Sequence, residues 1–437
     1  MDHLEFLLQT EGNIFLTGKA GTGKSTLINQ FCERFEQNDK IVKLAPTGIA
    51  AYNIKGQTIH SFFKFKVPQN IDAIDYDERS APMYKLIKVI IIDEVSMLRP
   101  DLLDCVDRFL RIYRENPTSP FGGVKMIFVG DLYQLEPVVK GDELSDYETK
   151  YFFSAKVFKY SKLTIRELDK IHRQNDPVFI NFLNKIRLGS LDYLELNQLN
   201  YLLPSVFNES FTTLTTTNNK ALEINNYNLS KNKNEEEISH AVIEGDFNIN
   251  NVLAEETLVL KYGCKVMILA NGACFDDPNN KYYNGSIGVF EGFETRKIEG
   301  YKEGGKTTIP VAIVRLENCS VVIKQFTWDN FQYVQIEKID TDTNNRYTTF
   351  ELQKVGSFTQ LPVKLGYAFS IHKSQGLTFN EINIDLGKSI FSNGQLYVAL
   401  SRCRTLEGIN LSRKISPCDI RKNEIIDNYL KNDKEKK

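Results

Sequence analysis

The sequence predicts an α/β protein in two parts, with an antiparallel β module set into the second. Three observations predict it. Short apolar runs alternate with amphipathic stretches from Asn13 to Val129. A glycine-rich loop, GKAGTGKS at 18–25, lies between one such run and one such stretch. From about Thr257 to Glu351 the hydrophobic period changes to two. The first pattern implies a parallel sheet covered by helices, because parallel strands need crossover helices. The last implies antiparallel strands with one buried face.

Asn13–Leu16 reads as the first strand and Ser25–Glu36 as the helix after the glycine loop. Lys40–Ala45 is a second strand and Leu86–Asp93 a third. Within it Val89–Ile92 is continuously apolar, as in strands buried on both faces. Lys125–Val129 is a fourth strand. In the second part Phe211–Thr216 is a Thr-rich strand, and Asn218 or Asn219 is placed to cap a helix through Leu229. Lys231–Glu237, KNKNEEE, is polar and reads as exposed. The β module contains Thr257–Leu260, Lys265–Leu269, Ile287–Phe290, Pro310–Leu316 and Val321–Phe326, with Asn284-Gly285 and Glu317-Asn318 as turns. Strand signals return at Ala368–Ile371 and Ile382–Leu386. The final KNDKEKK reads as a frayed tail.

Composition excludes several classes. Hydrophobic residues at 42% and charged residues at 25% are those of a globular chain, not a disordered or fibrous one. Fifty-four Lys and Arg oppose 56 Asp and Glu, so any surface for a polyanion is local. Seven scattered cysteines without a C-x-x-C pair read as reduced thiols, not a disulfide framework or zinc site. The start, MDHLEFLLQTEGN, lacks the basic opening of a signal peptide, and apolar runs such as Val89–Ile92 are too short to span a bilayer. A soluble, intracellular protein is expected, cytoplasmic and nucleoid-associated if the source is prokaryotic.

Residues 18–25 match G-x-x-x-x-G-K-[ST] in the strand–loop–helix context that gives the pattern its meaning. Glycines let backbone N–H groups turn inward onto phosphate oxygens. Lys24 reaches the β- and γ-phosphates, and Ser25 holds Mg²⁺. The loop alone says only that a nucleoside triphosphate binds. VIIIDE at 89–94 supplies the second requirement, an apolar strand ending in two acids. Asp93 is placed for Mg²⁺ and Glu94 for the attacking water. KMIFVGDLYQLEP, 125–137, ends another buried strand, and Gln134 there is placed to sense the γ-phosphate.

Read in order, GKAGTGKS, LAPTGIAA, QTIHSFF, IIIDEVSML, FGGVKMIFVGDLYQLEPV, LTTTNNKALEINN, AFSIHKSQGLTF and QLYVALSRC form one series. The series resembles the petite-integration-frequency (PIF) family of DNA helicases in superfamily 1B, relatives of RecD-like and Dda-like enzymes, from about Ile14 to Ile409. The resemblance implies two tandem RecA-like lobes, with a small wedge inserted in the first and a β-barrel of the Src-homology-three type in the second. It divides the chain into lobe one at 1–62 and 85–160, wedge at 63–84, lobe two at 161–256 and 352–430, and barrel at 257–351. It implies ATP and Mg²⁺ as cofactors, 5′→3′ movement on single-stranded DNA, and unwinding of duplex, fork and G-quadruplex DNA by a monomer. It assigns Gly18, Ala20, Gly21, Thr22, Gly23, Lys24, Ser25, Thr26 and Gly376 to the nucleotide. Catalysis falls to Lys24, Asp93, Glu94 and Gln134, with Arg173 at the start of lobe two and Arg402 as arginine fingers. Ser25 and Asp93 hold the metal.

Polar groups after strands in both lobes would form one track for a DNA strand: Pro46, Thr47, Gly48 and His60 in the first, and Ser370, His372 and Lys373 in the second. Such phosphate contacts position a strand without reading its sequence. Phe62, Phe63 and Phe65 serve either as base-stacking platforms or as core. Lys281–Tyr283 and Trp328 either touch DNA or pack. A DNA-stimulated translocase that separates no strands, and a P-loop phosphotransferase, are the alternative functions.

Overall fold

The computed structural model describes residues 2–36, 40–65, 74, 76–139, 141, 143–174, 176–299, 306–317, 319–339, 344–390 and 392–435. The chain forms two compact units. The first comprises Met1–Arg173, Phe331–Lys354 and Asn423–Lys437, and the second Gln174–Asn330 and Val355–Lys422.

The first unit is built on a six-stranded parallel sheet: β1 (Asn13–Gly18), β2 (Ile41–Ala45), β3 (Gln57–Thr58), β4 (Val89–Ile92), β5 (Lys125–Gly130) and β6 (Leu163–Leu168). Their order is β3-β2-β4-β5-β1-β6. The unbroken apolar runs follow from burial on both faces. Phe15, Val42, Leu44, Ile90, Ile92 and Phe128 enter one core, while Ile14, Leu16, Ile41, Val89, Ile91 and Ile127 enter the other. Alternate residues point to opposite faces, so one run of aliphatic side chains serves two cores. Helix Pro100–Tyr113 covers the first face, its proline at the start, where a missing N–H costs nothing. Helices His3–Gln9 and Lys24–Arg34 cover the second.

Three boundaries of the first unit differ from the sequence reading. β6 pairs with β1 along its whole length, so the first unit runs to Arg173 rather than 160. Only two of the six β6 residues are buried, which is why no apolar run announces the strand. The segment 331–354, expected inside the β module, belongs to the first unit. There Phe350 joins the core, the Tyr333 hydroxyl accepts from Lys43 N at 2.9 Å, and Tyr333 N donates to Gln57 Oε1 at 2.9 Å. Burial pushes the Tyr333 hydroxyl up to about 12. Finally, residues 424–430, expected in lobe two, and 431–435 of the expected tail belong to the first unit. Helix Glu424–Glu435 packs in the first unit, with Ile426 in the core and Tyr429 stacked on Phe153 at 4.0 Å. Much of the expected wedge, 66–73 and 75, lies outside the described residues, as does Asn318 of the second expected turn.

The second unit holds a four-stranded parallel sheet in the order Ala368–Ser370, Thr212–Thr215, Ile382–Asp385, Ile409–Leu411. Helix Asn218–Lys231 is capped by Thr217, whose Oγ1 accepts from Lys220 N, and not by either asparagine. Thr217 sits one residue earlier, where the backbone is still extended and its oxygen can face the open N–H groups. The β module is a five-stranded antiparallel sheet in the order 320–324, 306–315, 287–299, 265–268, 363–365, with a bulge between Phe290 and Gly292. Its outermost strand, Val363–Leu365, and the Glu236–His240 strand that pairs with Thr257–Lys261 both lie outside the expected 257–351. Trp328 is buried against Phe326 and Phe358, so it packs.

Candidate active site

The glycine loop leaves β1 through three backbone positions that a side chain would disturb. Gly21 and Gly23 have φ of +77° and +83°. A Cβ at Gly21 would lie 2.5 Å from the Arg173 Cβ, and one at Gly18 would lie 2.7 Å from Leu168 O. Only glycine permits that turn and that approach. Gly23 then opens helix Lys24–Arg34. Thr22 Oγ1 donates to Lys19 O, and Lys24 Nζ to Gly18 O at 2.7 Å and Lys19 O at 3.0 Å, so the loop is closed on itself. Ala20 and Thr22 are buried, while Ser25 and Thr26 are exposed at the start of the helix.

Asp93 follows β4 directly. Its N–H donates to Leu44 O, and its Oδ1 accepts from Glu94 N at 2.8 Å. Burial raises the Asp93 carboxyl above its ordinary range, and the Glu94 N–H and the nearby Lys24 ammonium pull it back. The fold therefore brings the loop lysine and the first acid into electrostatic contact, as their motifs require. Glu94 has left-handed backbone, φ 51° and ψ 44°. A non-glycine residue is held there at a cost of about 1–3 kcal/mol, a kind of strain that gathers at functional sites. Gln134 is buried four residues after Gly130, its N–H on Asp131 O.

Arg173 requires a correction. It belongs to the first unit, not to a second lobe: His172 N donates to Gly21 O at 2.8 Å, so this segment runs along the glycine loop. The pairing of β6 with β1 carries the chain there. The next residue, Gln174, was given no role by the sequence reading. It is buried in the second unit, where its amide donates to the carbonyls of Ser401 and Cys403 on either side of Arg402. Its position beside Arg173 was the only signal available.

Arg402 is buried, with Nε on Val398 O at 3.0 Å and Nη2 on Ser401 Oγ at 3.1 Å. Gly376, exposed with φ +83°, lies in the same unit.

The expected strand-track residues divide. Thr47 caps helix Gly48–Asn53, its Oγ1 accepting from Ala50 N. Pro46, Gly48 and His60 are half-buried, and Lys373 is exposed. Phe62 is 4% exposed and meets Phe63, Tyr84 and Tyr333 edge-on, so its ring is core and offers no stacking face. Phe63 is core for the same reason. Ser370 is also sequestered: buried, it donates to Asn218 Oδ1 at 2.5 Å. Its hydroxyl shapes the strand end and does not face outward. His372 is half-buried, and burial lowers its pKa.

A phosphate-type loop after β1 and paired acids after β4 of one parallel sheet define a P-loop nucleoside triphosphatase. Residues 4–196 match the family model of PIF1-like helicases. A crystal structure of Bacteroides sp Pif1 in complex with ADP-AlF4 is 35% identical, with a TM-score of 0.83, covering 99% of this chain and 96% of that one. The chain belongs to the PIF1-like helicase family. ATP-dependent DNA helicase PIF1 of Emericella nidulans is 31% identical over 94% of this chain, which spans 59% of that relative's length. ATP-dependent DNA helicase Pif1 of Campylobacter jejuni is 29% identical, over 92% of this chain and 88% of its own.

Proposed function

We propose that the chain is an ATP-dependent DNA helicase that tracks along single-stranded DNA 5′→3′ and opens duplexes and G-quadruplexes, acting as a monomer in the cytoplasm. The observation that carries the enzymatic reading is the placement of Lys24, Asp93 and Glu94 after β1 and β4, two strands of one parallel sheet with β5 between them. Names of the relatives supply the DNA substrate.

In this reading the backbone N–H groups of Gly18–Ser25 and the Lys24 ammonium bind the β- and γ-phosphates. Lys24 exchanges its loop carbonyls for phosphate oxygens. Glu94 orients and deprotonates the attacking water, and Gln134 senses the γ-phosphate. Arg173 and Arg402 stabilise charge on the transferring group, and Gly376 contributes to the nucleotide site. Ser25 and Asp93 offer a hydroxyl and a carboxylate, the hard oxygen donors that suit Mg²⁺. A carboxyl raised by burial is one that a cation would hold ionised. The cation's chemistry there is to neutralise charge building on the phosphate oxygens. Pro46, Thr47, Gly48, His60, His372 and Lys373 hold the DNA backbone.

The test is the ATPase rate with and without single-stranded DNA at one fixed salt concentration, followed by forked duplexes. Strong stimulation and unwinding of a 5′-tailed fork, but not a 3′-tailed one, are expected. DNA-independent turnover would favour a phosphotransferase, and stimulation without strand separation a translocase.

A further inference from the structure

Two buried hydroxyls in the first unit lack a hydrogen-bond partner among the described residues. Thr17 is 2% exposed and Ser96 is 0% exposed, and neither Oγ is bonded. Leaving such a group unsatisfied is destabilising, so a native instance calls for a reason.

Their placement supplies one. Thr17 is the last residue before Gly18, and across the β1–β5 ladder its partner is Gly130. Residues paired across adjacent strands present their side chains on the same face. On that face of Gly130 sits the turn after Glu94: a Cβ there would lie 3.0 Å from Val95 N and 3.6 Å from Ser96 N. Thr17 and Ser96 therefore flank one glycine from two sides. One adjoins the phosphate loop, and the other follows Glu94 by two residues. Gly130 leads directly into Asp131 and Gln134.

We propose that Thr17 and Ser96 are positioning residues for ATP hydrolysis, their hydroxyls serving the Glu94 carboxylate and the water it orients. A hydroxyl can donate to a carboxylate while accepting from a water. Glu94 joins β4 to that turn and is held in left-handed backbone. Both residues act through Glu94. The inference rests on the hydrolysis reading above.

Thr17→Val removes the hydroxyl at constant volume, and Ser96→Ala removes it with little change. If the groups serve only the chemistry, each variant melts at the wild-type temperature or higher, because an unbonded buried hydroxyl is gone. KM for ATP stays within about twofold while kcat falls about tenfold, less than the ~10²–10⁴ expected from removing the acid–base group itself. Thr17→Ser restores kcat. A kcat within about twofold of wild type in both variants, or a loss of kcat matched by a lower melting temperature and a raised KM, overturns the proposal. A wild-type chain that does not hydrolyse ATP overturns both this and the function. Active wild type with unaffected variants overturns only the positioning role.

Discussion

The two parallel sheets end differently. After β1, β4 and β5 of the first unit, the chain presents groups suited to a ligand: glycine-loop amides, a lysine resting on loop carbonyls, a buried carboxyl and a strained glutamate. In the second unit, several polar side chains near the parallel sheet are tied to the unit itself. Ser370 donates to Asn218, the Gln395 amide to Thr216 O, and Gln174 to the carbonyls around Arg402. Hydrolysis requires groups that can change partners. Side chains already bonded within their own unit are held in place. The first unit thus leaves its strand-end groups able to change partners, while the second ties several of its polar groups to itself.

Replacing the central group of each unit separates these roles most sharply. Lys24→Ala should lower kcat/KM for ATP about 10³-fold with the melting temperature unchanged, since its loop-carbonyl bonds are only part-buried. Steady-state ATPase and thermal melting check both halves, and normal turnover would move the site elsewhere. Arg402→Ala should lower activity and also destabilise. Its guanidinium is 3% exposed and bonded to Val398 O and Ser401 Oγ, so its loss costs about 2–3 kcal/mol. If Arg402→Ala were inactive at wild-type stability, its hydrogen bonds within the second unit would carry no stability, and the contrast would fail.

Tyr333 sharpens the comparison from the other side, as an anchor of the first unit supplied by a distant stretch of chain. Tyr333→Phe removes the acceptor that the Lys43 N–H uses at 2.9 Å, a cost of about 1–3 kcal/mol. Amide exchange at Lys43 should accelerate, with little change elsewhere in β2, because Ile41–Leu44 remain paired with β4. Unchanged exchange would mean that the tyrosine only packs.

How far the sequence was legible follows from locality. β1, β4 and β5 could be read because a strand buried on both faces must be apolar throughout, and the glycine loop because its conformation admits few residues. β6 was not legible: Thr164, Arg166 and Glu167 alternate with too few apolar residues to mark it, and only the pairing with β1 makes it a strand. Arg173 was assigned from its motif to the second lobe for that reason, and it lies in the first unit. Phe62 and Ser370 were assigned by residue type, and type does not reveal burial. The contacts of Tyr333 with Lys43 and of Gln174 with Ser401 join residues far apart in sequence, where no local pattern can foretell them.

The smallest expected effect tests what the second unit does leave outward. Burial holds the His372 pKa below its ordinary 6.5. As pH falls through 6.5 the unfolded chain takes up a proton before the folded one does. The unfolded state then binds more protons, and stability falls; above 6.5 both are neutral and His372 contributes nothing. Melting measured across that range should show a shallower acid decline in His372→Asn than in wild type. An identical slope would mean that His372 is not held neutral. The same neutrality separates it from its neighbour Lys373, which is exposed. If both touch the DNA backbone, Lys373→Ala should reduce the salt slope of single-strand binding by about 0.7, the value for one released counterion. His372→Asn at neutral pH should weaken binding at every salt concentration and leave the slope alone, because a neutral imidazole contacts a phosphate without displacing an ion.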